Sequence, residues 1–253
     1  MLRSPISRMN TTSDTSRRIH WSRFVIAACV LSAPLMLGGW FSTCPQYGDP
    51  NCPSSEHPLA AMLAFRSAIP LPFQIFLILS LLIPFVFPVS FVGIGLTAYR
   101  RAPVLASIGM GLAWLGSITW GFTTDVVFQM NNAVQMHEET LYAELARTYS
   151  DSGYSIVLGV GWIAGHVFGY IVLGAALIRS RAVPAWAGWL LALSPILIVP
   201  AAYGFRTSVS QVLGFASVFI ASVPVAGALV RGEVLATNEA INAKSAMLVE
   251  ARR

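Results

Sequence analysis

Six long apolar stretches, at residues 24–41, 73–98, 102–127, 154–178, 185–203 and 211–230, decide the surroundings in which this chain can fold. About 20 consecutive apolar residues carry an α-helix across the hydrocarbon core of a bilayer. Lipid offers no hydrogen bonds, so each backbone N–H and C=O must pair within its own segment, and stretches of this length read as helices. The expected fold is all-α, a polytopic membrane helix bundle of six transmembrane helices, with the lipid bilayer as its first partner.

Six spans of about 20 residues occupy about half of the 253-residue chain, of which only 11% is charged. What remains holds no soluble domain of ordinary size. Residues 1–23 form a basic arm, 24–230 the membrane domain and 231–253 a tail. The arm to Arg18 is rich in Ser, Thr and Arg and is expected to be disordered.

Orientation follows from the basic residues, because Lys and Arg resist translocation while Asp and Glu count little. With the N-terminus in the cytoplasm, 13 of the 16 basic residues lie inside and only Arg66, Arg147 and Arg206 outside. The expected topology is therefore N-in and C-in, and both arm and tail are cytoplasmic. The net charge of +5 is a topology signal and not a mark of nucleic-acid binding. Trp21 and Trp40 bracket the first span and Trp186 begins the fifth, as interfacial anchors do.

The first span admits a second reading, a cleaved signal, because Phe41-Ser42-Thr43-Cys44 is a degraded form of the box preceding a lipid-modified cysteine. The cysteines favour the uncleaved account. Cys44 and Cys52 share one outer loop containing Gly48 and two prolines, on an oxidising face, and a disulfide there is expected. Such a bridge contributes about 2–3 kcal/mol through chain entropy. Cys29 reads as a small core residue within the first span, and no cluster suggests a metal site.

Gly161, Gly165 and Gly169 repeat every four residues in the fourth span, which lets another helix approach its backbone. Ala102, Ala106, Gly109, Ala113 and Ser117 offer a matching stripe on the third span, and these two consecutive spans are expected to pack together. The alternative is a homo-oligomer seam. Pro84 and Pro88 in the second span, Pro195 and Pro200 in the fifth and Pro224 in the sixth each remove a backbone hydrogen bond. Such breaks line substrate paths in transporters, and they also occur in inert helices whose freed carbonyls find hydroxyls. Met130, Val134, Leu141 and Leu145 continue a helical period past the third span, with Glu138, Glu139 and Glu144 between them, so a helix is expected to run on over the outer face.

Two ionisable residues fall inside spans, where charge is costly and function is the default hypothesis. His166 lies about halfway along the fourth span, about 20 Å from its outer end, and Asp125 lies near the outer end of the third. A direct pair is not expected. His166 is either an uncharged ring bonded to a neighbouring helix or a ligand or proton contact. Asp125 is either a surface carboxylate or a ligand group.

Enzyme signatures fail on these few residues. One buried histidine cannot supply a bis-histidine haem. Gly153-Tyr154-Ser155 is followed by Ile156, where a rhomboid-type protease needs Gly. Glu138-Glu139 lacks the Arg of a prenyl-protein protease, and Trp162-x-x-x-His166, which resembles another element of that family, is alone at chance level. No nucleotide loop, zinc helix or thiol redox pair appears, so the chain reads as non-enzymatic and without a cofactor.

Residues 176–190, with Arg179, Arg181 and Val183-Pro184-Ala185-Trp186, resemble a recurrent feature of polytopic integral membrane proteins of actinobacteria that have no assigned role. The resemblance implies a bacterial plasma membrane and carries no catalytic residues. The function expected is binding or passage of a small apolar or weakly polar molecule in a cavity near His166. The alternative is a structural or regulatory subunit that recognises a membrane partner protein.

Overall fold

The computed structural model describes residues 11–43, 70–136, 140–141, 144–145, 147–148, 152–200 and 208–232. Six α-helices lie among them: α1 (Thr11–Thr43), α2 (Pro70–Tyr99), α3 (Pro103–Met136), α4 (Gly153–Ser180), α5 (Ala185–Pro200) and α6 (Ser208–Arg231). Five of these are long and apolar enough to cross a membrane. By helix composition the chain is a multi-pass membrane protein.

The fifth span is expected to reach residue 203; α5 is described from Ala185 to Pro200, and residues 201–203 lie outside the described residues. Its 16 described residues span about 24 Å at 1.5 Å per residue. At the other end of the chain, composition predicts disorder to Arg18, whereas α1 already begins at Thr11. A polar segment joined to an apolar helix extends it without a new nucleation step. The expected overrun of the third span is present, since α3 is 34 residues long where about 20 suffice to cross. Cys44 and Cys52 lie outside the described residues, and Cys29 is a free thiol.

The helices close into a ring in chain order. α1 packs on α2, α2 on α3, α3 on α4, α4 on α5, α5 on α6, and α6 returns to α1. α2 also touches α4 and α6, which places it against the middle of the bundle. Leu37, Phe91, Ile94, Leu173, Leu191 and Val218 are almost wholly buried between helices. The outer surface is as apolar as the core: Phe85, Trp114, Val157, Phe168, Ile196 and Leu213 are all at least half exposed. Contiguous apolar surface on this scale suits contact with acyl chains rather than water.

The buried hydroxyls show the same solvent logic. Thr97, Ser117, Thr119, Ser180, Ser194, Ser217 and Ser222 each donate to a carbonyl three or four residues earlier in their own helix, at 2.6–2.9 Å. Hydroxyls with no water to turn to are satisfied locally. Between α1 and α2, Trp40 Nε1 donates to Ser80 Oγ at 2.7 Å.

The closest helix pair is α3 with α4, built on the glycine stripe. A Cβ on Gly165 would lie 2.5 Å from the Cα and N of Gly116, and one on Gly169 would lie 3.0 Å from the Cβ of Ala113. Gly161 faces the Thr119 methyl in the same way. The stripe therefore seats α4 on α3 within one chain.

Candidate functional site at His166

His166 follows Gly165, and its position is a consequence of that close approach. With α4 pressed on α3, the imidazole rests over Gly116, where a Cβ would come within 2.6 Å of Nδ1. The residue is buried, with 6% of its surface exposed. Aromatic rings enclose it from two helices. Phe87 and Phe91 of α2 lie 5.0 and 5.8 Å away between centroids, and Trp162 and Tyr170 of α4 lie 5.0 and 6.5 Å away. The cluster continues through Trp120 on α3 to Trp40 on α1.

The hydrogen bonds of the ring set its tautomer. Nδ1 lies 2.8 Å from the carbonyl oxygen of Trp162, one turn earlier in α4. A carbonyl only accepts, so Nδ1 carries the hydrogen, and in the uncharged ring Nε2 is an acceptor. Nε2 is buried without a partner, and so is Nε1–H of Trp162. An acceptor and a donor, both unsatisfied, therefore sit on neighbouring rings one helical turn apart. Buried polar atoms are nearly always paired, because each unmade bond costs about 1–3 kcal/mol.

Both residues line, through carbon atoms alone, a small cavity between α1, α4, α5 and α6, together with Leu37, Tyr170, Pro195 and Phe215. About 20 Å³ of it is open to the centre of a water molecule, room for about one such molecule.

Asp125, the second candidate, is described only in its backbone. It lies on α3, nine residues beyond Gly116, which is about 13 Å further along the helix axis. Among the described residues no group of three His, Cys, Asp or Glu gathers as a metal site would require.

The sequence singles out His166 but not its enclosure. Trp162 and Tyr170 stand four residues to either side of it, on one helical stripe, and Phe87 and Phe91 are also four apart. The first pair is legible as a stripe through His166. The second becomes relevant only through the contact between α2 and α4, which no local pattern announces. Compared with family models, curated proteins and solved structures, the chain matches none of them.

Proposed function

We propose that this protein binds or passes a small, weakly polar molecule between its helices at His166, without catalysing a reaction on it. In this reading it is a six-span protein of a bacterial plasma membrane, with both termini in the cytoplasm. The observation that carries the reading is the pair of buried, unpartnered nitrogens on His166 and Trp162, two residues lining one cavity. The wall exposed to the cavity is wholly apolar and suits an apolar body, while a group that both donates and accepts reaches Nε2 and Nε1–H only when a ring turns toward it.

As packed, the cavity takes about one water, so a larger guest requires movement of its wall. The wall includes Pro195 on α5 and Phe215 on α6. The N-in orientation rests on the 13-to-3 division of basic residues. The resemblance of residues 176–190 to actinobacterial proteins supports the bacterial membrane.

The test is native mass spectrometry of the gently purified full chain beside His166→Leu. The wild type should carry an added mass that the variant lacks, at equal thermal stability. Equal spectra from the two proteins would remove the ligand reading. A fixed protein partner in both would put the regulatory-subunit reading ahead.

A further inference from the structure

At one end of the bundle the turn between α2 and α3 and the turn between α4 and α5 are held together. Arg101 Nη1 donates to the carbonyl oxygen of Ser180 at 3.0 Å. The bond places a cation on the C-terminal carbonyls of α4, where the helix dipole favours it. It also gathers Arg100 and Arg101 of one turn with Arg179 and Arg181 of the other. Arg101, Arg179 and Arg181 are exposed, and Arg100 is partly so. No carboxylate side chain is described at this end, so the four positive charges have no counter-ion there among the described residues.

Aromatic residues fix the depth of this patch. Tyr99 adjoins Arg100 and is 45% exposed, and Trp186 and Trp189 at the start of α5 are 51% and 57% exposed. Exposed Trp and Tyr with an apolar body and a polar tip settle at the headgroup level of a bilayer. The guanidinium groups therefore stand where lipid phosphates lie. All four cations are Arg, whose planar fork suits bidentate contact with a phosphate better than an ammonium does.

We propose that Arg100, Arg179 and Arg181, arranged by the Arg101–Ser180 bond, form a binding site for the headgroup of an anionic phospholipid. The site is separate from the His166 cluster and does not depend on its reading. A basic residue at a membrane surface strengthens attraction to anionic lipid by about five-fold. Three acting together should select such a lipid by well over ten-fold against a zwitterionic one.

The experiment uses the full chain in detergent, with phosphatidylglycerol, phosphatidylcholine or inorganic phosphate added. Lipid retention is read by native mass spectrometry and melting temperature by fluorescence. The wild type should retain phosphatidylglycerol preferentially and melt higher with it. Arg100→Gln/Arg179→Gln/Arg181→Gln should lose both effects, and the triple Lys variant should keep part of them. If the triple Gln protein is not monodisperse, Arg100→Gln and Arg179→Gln singly should each weaken retention about five-fold. Unchanged preference in these variants would overturn the site. So would an equal loss from Lys244→Gln/Arg252→Gln/Arg253→Gln, which would make the attraction a general charge effect. Protection by inorganic phosphate equal to that by lipid would assign the patch to a free anion instead.

Discussion

Gly165 and Gly116 meet backbone to backbone, and neither position has space for a methyl group. A Cβ on Gly165 would lie 2.5 Å from Gly116 Cα, and one on Gly116 would lie 2.6 Å from His166 Nδ1. Gly116 thus does two things: it lets α4 approach α3, and it leaves the space that the imidazole fills. Gly165→Ala and Gly116→Ala should each lower stability by about 1–3 kcal/mol through overpacking. Gly111→Ala and Gly159→Ala should be neutral or stabilising by up to about 1 kcal/mol, because nothing lies within 4 Å of a Cβ at either and Ala is the better helix former. Melting temperatures of the four variants check the contrast.

The α3–α4 pairing was legible because four-residue spacing of small residues has one physical use, close approach of backbones. The facing residues were only half legible. Gly109 and Ala113 belong to the stripe read on α3, but the next contact is Gly116 rather than Ser117. Ser117 instead turns its hydroxyl back to Ala113 O. A helix has 3.6 residues per turn, so a stripe drifts between spacings of three and four. The aromatic enclosure of His166 was not legible, because α2 is apolar all round and its sequence does not say which face meets α4.

Ser194 supplies the hydrogen bond that Pro195 removes. Pro195 has no N–H to give to Leu191 O, and Ser194 Oγ donates to that oxygen at 2.8 Å. Ser194→Ala should therefore cost about 1 kcal/mol by stranding a buried carbonyl. Adding Pro195→Ala restores a backbone donor and should recover most of that loss. A double-mutant cycle on thermal unfolding measures the coupling, and strict additivity would show that the hydroxyl does not serve this carbonyl.

Arg181 adopts φ +52°, a left-handed conformation, just past the end of α4. Glycine enters this region without the Cβ penalty, and helices commonly end on it. Arg181→Gly should raise stability by about 0.5–1 kcal/mol, while Arg181→Val should lower it, because a β-branched residue is an outlier there. Melting temperatures in zwitterionic detergent without added lipid isolate the backbone effect from any loss of charge.

Orientation and the outer loop can be tested on one set of proteins. Reporter fusions after Arg101, Arg181 and Arg253 should report cytoplasm, and those near Gly48 and Ser152 the outside. Maleimide on denatured, unreduced protein should label Cys29 and leave Cys44 and Cys52 unmodified. Free thiols at both outer positions would dismiss the bridge. Loss of an N-terminal tag with acyl chains on Cys44 would reverse the reading of the first span.

The two unpartnered nitrogens separate a binding site from a structural core by opposite effects on stability. Trp162→Phe removes an N–H that has no partner, and His166→Phe places a phenyl ring in an enclosure already made of four aromatic side chains. The Nδ1 bond to Trp162 O lies within one helix, and even side-chain bonds between the helices of a membrane protein average only about 0.6 kcal/mol by double-mutant cycles. If the nitrogens await a guest, both variants should melt within about 1 kcal/mol of the wild type and yet lose the bound molecule. His166→Gln should retain stability as well, since an amide replaces one imidazole hydrogen bond, and should also lose the guest. Marked destabilisation of His166→Phe and Trp162→Phe, with the wild type carrying no added mass, would assign the cluster to packing alone.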